Sequence, residues 1–481
     1  MFKNLLNSKS FLGNVLKIAS GTLLAQSLGY LFLPFITRLY TPENFGEFGI
    51  FMAMFGLISP LLGGKFEVAL VLEKDKIQKM NLYLLSAIIT LFISVISFLV
   101  FFFFRDIIIS FFSLAINKNL LVILPFSLLL YGLYQANRFL LISNNSFGKI
   151  SKTIILEKIV TIGSKLILGL FKPSSLGLII SDILAKIAAV FYTTLVIIKY
   201  RLYVSLFKYF YKDEVVKLIK KYKKFPTYEL MGDWFNSISN NIPLLIMAFF
   251  FNNNIIGFYI FSNSTLKQII ALTSQNFGSV YYKKVSEISE IERKPFTLKL
   301  IKQLSVFGIL PFVIIAIGAP EIFSFFFSEK WYTAGLYAQI MSPYLFLIFL
   351  LKPINSLYRV YDCQDKSLFF NIINFILSCL AVIVGGLTKN DTHTIILISI
   401  SGVLIYGYRY FWILNKMKIT FGEVIKIIKK HLLISIVFLL CPIIVKMTSD
   451  HVIYFLVTLV IFSIGYLLYV YKIEFHRQNL N

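Results

Sequence analysis

The stretch GTLLAQSLGYLFLPFITRLYTPENFGEFGIF, Gly21 to Phe51, decides how the rest of the chain is read. It is apolar enough to cross a bilayer, yet it carries Gln26, Pro34 and Arg38. It turns at Thr41-Pro42-Glu43-Asn44 and becomes apolar again at Gly46. Thr22, Gln26 and Gly29 fall at four- and three-residue spacing, so small and polar groups share one helix face. Such a face suits a neighbouring helix or a wet cavity better than lipid.

The same pattern extends along the chain. Of the 481 residues, 58% are hydrophobic, and the mean hydropathy is +0.79. Apolar runs long enough to span about 30 Å of hydrocarbon recur from end to end. The sequence predicts an all-α polytopic membrane protein of about fourteen spans: 15–37, 45–63, 82–104, 119–142, 152–171, 176–198, 227–251, 255–277, 300–327, 332–358, 368–388, 393–414, 430–448 and 450–471. Lys3, Lys9 and Lys17 lead into a full-length first span without a small-x-small cleavage site, so that span is expected to be retained.

The net charge of +24 is explained by topology rather than by nucleic acid. Loops after odd-numbered spans hold only Arg38, Arg105, Lys118, Lys172, Lys330 and Lys389. The opposite loops, the tails and the adjoining span starts hold about 33 Lys and Arg. This bias places the basic loops and both termini in the cytoplasm, in a cytoplasmic (inner) membrane. The longest connection carries Lys212 to Phe225, KDEVVKLIKKYKKF, which reads as a basic amphipathic helix lying on the inner leaflet.

The expected organisation is a six-helix bundle over 1–198, a basic linker over 199–226, a second six-helix bundle over 227–414, and an accessory pair with a tail over 415–481. The halves share weak features. Pro34 precedes Gly46-Glu47-Phe48-Gly49, and Pro243 precedes Gly257-Phe258-Tyr259. Internal repeats of this kind place a transporter's site near interrupted helices at mid-membrane.

No nucleotide-binding loop, nucleophile elbow or metal cluster is present in the sequence, and the three cysteines form no framework. Neither catalysis nor a cofactor is expected. Gly63-Gly64-Lys65 reads only as a helix end running into a loop. The chemistry then falls to ionisable groups inside the spans, which are costly there. Lys186 and Lys267 lie near mid-span and Lys165 somewhat nearer the outer side; these three are the candidate cavity cations. Arg138, Lys352 and Arg409 lie closer to cytoplasmic ends, where snorkelling competes with a cavity role. Arg38 belongs to the same candidate set. Glu157, Asp182 and Asp233 are candidates for binding a coupling ion or proton, although Asp182 and Lys186, four residues apart, suit a structural ion pair. Interior cations outnumber acids, which suits a water-filled cavity that receives an anion.

Several segments resemble the polysaccharide flippases, the Wzx-type branch of the multidrug/oligosaccharidyl-lipid/polysaccharide (MOP) exporter superfamily. They are Thr37-Arg38-Leu39-Tyr40-Thr41-Pro42 with Phe45-Gly46, Lys65-Phe66-Glu67-Val68-Ala69, Asn240-Asn241-Ile242-Pro243, Gly257-Phe258-Tyr259, and Ala319-Pro320-Glu321-Ile322-Phe323 followed by Trp331 and Ala334-Gly335. Ser328 departs from that pattern, which often has glycine there. The resemblance implies two six-helix bundles in a V around a central cavity, often with two further helices. It implies alternating-access transport of undecaprenyl-diphosphate-linked oligosaccharide to the outer leaflet for O-antigen, capsule or similar polysaccharide, with membrane lipids and a polysaccharide polymerase as partners. A cation-coupled multidrug exporter of the same superfamily is the alternative, and a membrane polymerase or glycosyltransferase a more distant one, because the outer loops are short.

Overall fold

The computed structural model describes residues 11–111, 117–199, 212–449 and 451–472. The first part of the basic linker and both chain ends, with Lys3, Lys9 and His476, lie outside the described residues.

Among the described residues, fourteen long helices follow one another: α1 (Phe11–Leu39), α2 (Pro42–Ile58), α3 (Lys76–Phe103), α4 (Lys118–Ser143), α5 (Phe147–Phe171), α6 (Ser175–Lys199), α7 (Leu230–Phe250), α8 (Asn253–Glu287), α9 (Glu290–Phe327), α10 (Tyr332–Ile354), α11 (Gln364–Leu387), α12 (Asp391–Asn415), α13 (Phe421–Thr448) and α14 (Val452–Val470). Short helical turns connect some of them, including Lys212–Lys221 in the linker. Among the described residues, ten helices are long and apolar enough to cross a membrane. The four long helices outside that set are α1, α5, α7 and α8. They carry Gln26 and Arg38, Glu157 and Lys165, Asp233 with Asn240 and Asn241, and Asn263 with Lys267.

The chain divides into two compact units, Met1–Gly257 and Phe258–Asn481. The division falls just inside α8, so the seventh helix packs with the first six. Its contacts with α2 explain this. Trp234 Nε1 donates to the Leu57 carbonyl at 3.0 Å, and Ser237 donates to the Gly56 carbonyl. At the other end, a methyl on Gly46 would overlap the Asn253 carbonyl, and one on Gly257 would overlap the Pro42 carbonyl. The two glycines that open the repeated Gly-aromatic segments thus face each other's helix start, where only glycine permits the approach.

Within the first unit, Thr41 caps α2: its hydroxyl accepts from Asn44 N while the Asn44 side chain accepts from Thr41 N, with Pro42 in the first turn. Asn137 on α4 ties three helices. It accepts from Tyr83 on α3 at 2.8 Å and donates to Thr193 and Thr194 on α6 at 3.0 Å.

The linker helix also packs on the first unit. Val215, Leu218 and Tyr222 are buried in a cluster with Phe66, Leu70, Leu82, Leu141 and Ile197. Lys221 Nζ and the Tyr222 hydroxyl bind Glu73 at 2.6 and 2.8 Å. This part of the apolar face is covered by protein, while Val216 and Ile219 are exposed along with Lys217 and Lys220.

In the second unit, the accessory helices α13 and α14 pack on α9 through Val306, Leu310, Leu439, Tyr466 and Val470. Pro320, which has no N–H, leaves the Ala316 carbonyl without its helical donor, and Gln339 Nε2 supplies one at 2.7 Å. Lys446 on α13 donates to the neighbouring Ile317 carbonyl at 2.6 Å and pairs with Glu321 at 2.9 Å. Phe261, Phe323, Phe327 and Trp331 form one aromatic cluster, and Gly335 lies against Ala319 and Pro320. The motif around Pro320 and Trp331 therefore acts through packing.

Candidate functional site

The first unit contains a cavity of about 400 Å³ whose lining includes Lys65 and Glu67, Gln135 and Arg138 of α4, and Asp233, Ser237 and Asn241 of α7. The chain forms its floor by an unusual turn. Gly63, Gly64 and Lys65 all have positive φ, at 69°, 60° and 64°, so three consecutive residues are left-handed. Glycine adopts this freely, whereas Lys65 does so at some cost. The turn brings Lys65 Nζ to 2.6 Å from Asp233 Oδ2. In the sequence Gly63-Gly64-Lys65 reads only as a helix end, and Glu67 carries no site role. The adjacent glycines were the available signal for a left-handed turn.

The cavity has unsatisfied polar groups. Among the described residues, Arg138 Nε, Gln135 Oε1 and Glu67 Oε2 are enclosed and have no hydrogen-bond partner. Gln135 Nε2 donates to the Tyr131 hydroxyl at 2.6 Å, which fixes one side of the amide.

Arg138 also connects this cavity with a second group of charges on α5 and α6. Glu157 interacts electrostatically with Lys186, Asp182, Arg138 and Lys158. Lys165 interacts with Asp182, Lys158 and Lys186. Lys186 is buried, pairs with Asp182 and lies 5.2 Å from the centre of the Phe55 ring. Lys165 stands 5.0 Å from the Phe48 ring, while its backbone carbonyl accepts from Tyr40. The structure thus brings Arg138, Glu157, Lys165, Asp182 and Lys186 together. Asp233 belongs to the adjoining cavity. Arg38 is exposed at the end of α1.

In the second unit, Lys267 on α8 and Lys352 on α10 are exposed and near enough to repel each other. Asn263, one turn before Lys267, faces the Tyr344 hydroxyl at 3.5 Å. Arg409 lies among aromatic rings. It is buried on α12, donates to Asn371 at 2.8 Å, and lies about 6 Å from the Tyr358, Phe370 and Tyr406 rings. That surrounding suits a structural cation–π contact.

The chain folds as two compact helical units with charged groups inside the helices, and known structures share this all-helical membrane fold. The chain is similar to the structure described as lipid II flippase MurJ in an inward closed conformation (TM-score 0.74, 18% identity, 96% of this chain and 99% of that one). It is also similar to an inward-facing multidrug resistance MATE family transporter of the MOP superfamily (0.61, 13% identity, 82% and 94%). A third similar structure is a MOP superfamily transporter from Pyrococcus furiosus, described as having a binding pocket of reverse polarity (0.51, 13% identity, 84% and 96%). No curated protein matches in sequence. Residues 35–336 match the family described as polysaccharide biosynthesis protein, and the chain belongs to that family.

Proposed function

We propose that the protein is a flippase that moves a diphosphate-linked oligosaccharide lipid, of the undecaprenyl type, from the cytoplasmic to the outer leaflet by alternating access, for a surface polysaccharide such as O-antigen or capsule. The observation that carries this reading is the charge of the first unit's interior in a member of a polysaccharide biosynthesis family. Lys65, Arg138, Lys158, Lys165 and Lys186 stand among Glu67, Glu157, Asp182, Glu229 and Asp233, and the enclosed Arg138 Nε has no hydrogen-bond partner among the described residues. A cation in a poorly solvated site gains most from an anion, and a diphosphate offers charge and several acceptors at once. Lys267 and Lys352 add positive charge in the second unit, with Arg38 as a further candidate. Asp182 and Asp233 are held in ion pairs, so Glu157 is the freer of the three acids proposed for ion coupling. The lipid tail stays in the bilayer, and a polysaccharide polymerase is the expected downstream partner.

The proposed setting is a cytoplasmic membrane with both chain ends inside. A reporter fused after Lys118 should read external and one after Lys220 cytoplasmic; the opposite reading at either site would overturn the map. Transport itself is tested in proteoliposomes with a fluorescent oligosaccharide on a polyprenyl diphosphate. Movement of the sugar across the bilayer supports the flippase. Export of cationic drugs without lipid movement would favour the multidrug exporter.

A further inference from the structure

The cavity of the first unit has two ends that differ in chemistry. Lys65, Glu67, Arg138 and Asp233 carry charge, and the Lys65–Asp233 pair marks where they meet. Much of the remaining polar lining is neutral: Asn236, Asn240 and Asn241 of α7, with Gln135 and Tyr131 of α4. Asn240 lies about two turns beyond Asp233, or about 10 Å along the helix. Contacts with α2 put the neutral groups of α4 and α7 at one level. The Asn241 amide lies where a side chain on Gly56 would stand, and the Tyr131 ring meets the neighbouring Phe55 ring at 5.4 Å.

The neutral end presents mainly acceptors. Asn240 Nδ2 donates to the Asn236 carbonyl at 2.7 Å, and Asn241 Nδ2 donates to the Ser237 carbonyl at 2.8 Å. A backbone carbonyl only accepts, so these bonds fix which end of each amide is the oxygen. Among the described residues, Asn240 Oδ1 and Asn241 Oδ1 carry no hydrogen bond, and Gln135 Oε1 is enclosed without a partner. An ionised phosphate also only accepts, so it cannot satisfy these oxygens. A hydrocarbon tail would leave them unpaired. Sugar hydroxyl and acetamido groups supply the donors, and hydroxyls can accept from the amide nitrogens as well.

We propose that Asn240, Asn241 and Gln135 form a sugar subsite that reads the residue next to the diphosphate, while Lys65 and Arg138 hold the diphosphate. The placement of the sugar rests on the diphosphate reading above; the sugar contact itself depends only on the amides. Both ends share one cavity of about 400 Å³, within the usual range of small-ligand sites, so a single head group can touch both. A site built to hydrogen-bond hydroxyls rejects a ligand that lacks them, because its own polar groups are then left unpaired. The amides, and not the cations, therefore select among sugars.

The test uses the full-length protein in nanodiscs and short-chain prenyl diphosphates, either bare or carrying glucose, galactose or N-acetylglucosamine. Wild type is expected to bind at least one sugar-bearing lipid more tightly than the bare one. Asn240→Ala and Gln135→Leu should each narrow that preference by about two- to tenfold for a lost hydrogen bond. Asn240 is exposed, so its truncation disturbs little packing, and a general loss of fold would weaken both ligands and cancel in the ratio. A preference unchanged in both variants, or absent from the wild type, would overturn the subsite. Failure of the wild type to bind any of the diphosphates would instead overturn the diphosphate reading. Phosphate-free prenyl glycosides of the same sugars then decide the amides by themselves: binding that Asn240→Ala weakens supports the subsite, and binding that it leaves unchanged, or no binding, rejects it.

Discussion

Lys65 Nζ stands 2.6 Å from Asp233 Oδ2, and this pair joins the left-handed turn after α2 to the first turn of α7. The two partners differ in exposure: the Lys65 side chain is 16% exposed and that of Asp233 54%. A half-hydrated carboxylate gains little from its partner, so the pair is expected to contribute about 0–1 kcal/mol to stability. Its weakness suits a contact that an incoming anion can replace.

Asp233→Asn should accordingly leave membrane abundance and melting temperature nearly unchanged while freeing Lys65. Affinity for a prenyl diphosphate should rise several-fold in a binding titration. Unchanged affinity would show that the ligand does not reach Lys65.

The linker helix should dock in a pH-dependent way. Burial raises the Glu73 carboxyl, but hydrogen bonds from Lys221, Tyr222 and the Lys74 backbone outweigh it and hold the group below its ordinary value. A depressed acid contributes stability above its unfolded pKa and loses it as pH falls through the folded value. Protease cleavage within the linker should therefore accelerate in acid below the ordinary Glu range. Glu73→Gln should be cleaved faster at neutral pH and lose the acid dependence. Equal cleavage of both proteins at all pH values would contradict the docking role.

Lys267 is exposed on α8 and repelled by Lys352, so it adds little to packing. Lys267→Ala should impair export strongly at near-normal abundance, and Lys267→Arg should retain more function. Normal export by Lys267→Ala would make the lysine dispensable.

Arg409 should behave in the opposite way. Its guanidinium lies among three aromatic rings and donates to Asn371. Arg409→Ala leaves these groups without their partner and should lower stability by about 2 kcal/mol or more. Thermal unfolding of the purified variant checks this, and an unchanged melting temperature with lost transport would return Arg409 to the binding residues.

The sequence shows the helices and the interior charges far better than it shows their partners. Helix number follows from apolar runs, which are local. The i, i+4 pairing of Asp182 with Lys186 is local too, and the structure contains it. Lys65–Asp233 and Lys221–Glu73 join residues far apart in the chain, which no periodicity can reveal. Gly46 and Gly257 were recognisable as repeated positions, but their approach to opposing carbonyls required three dimensions. The packing of Val215, Leu218 and Tyr222 of the linker on the first unit is also hidden in the sequence, because an amphipathic pattern suits a membrane surface and protein equally.

The central claim, that the interior cations read a diphosphate, is tested most directly by ligand-dependent thermal stability of the purified protein. A ligand bound only to the folded state stabilises it by about 2.7 kcal/mol at one hundred times its dissociation constant. An oligosaccharide on a polyprenyl diphosphate should raise the melting temperature clearly. The same oligosaccharide on a phosphate-free polyprenyl lipid should raise it much less, and added salt should narrow the gap only in part, since enclosed charges are weakly screened. Equal stabilisation by the two lipids would contradict the account.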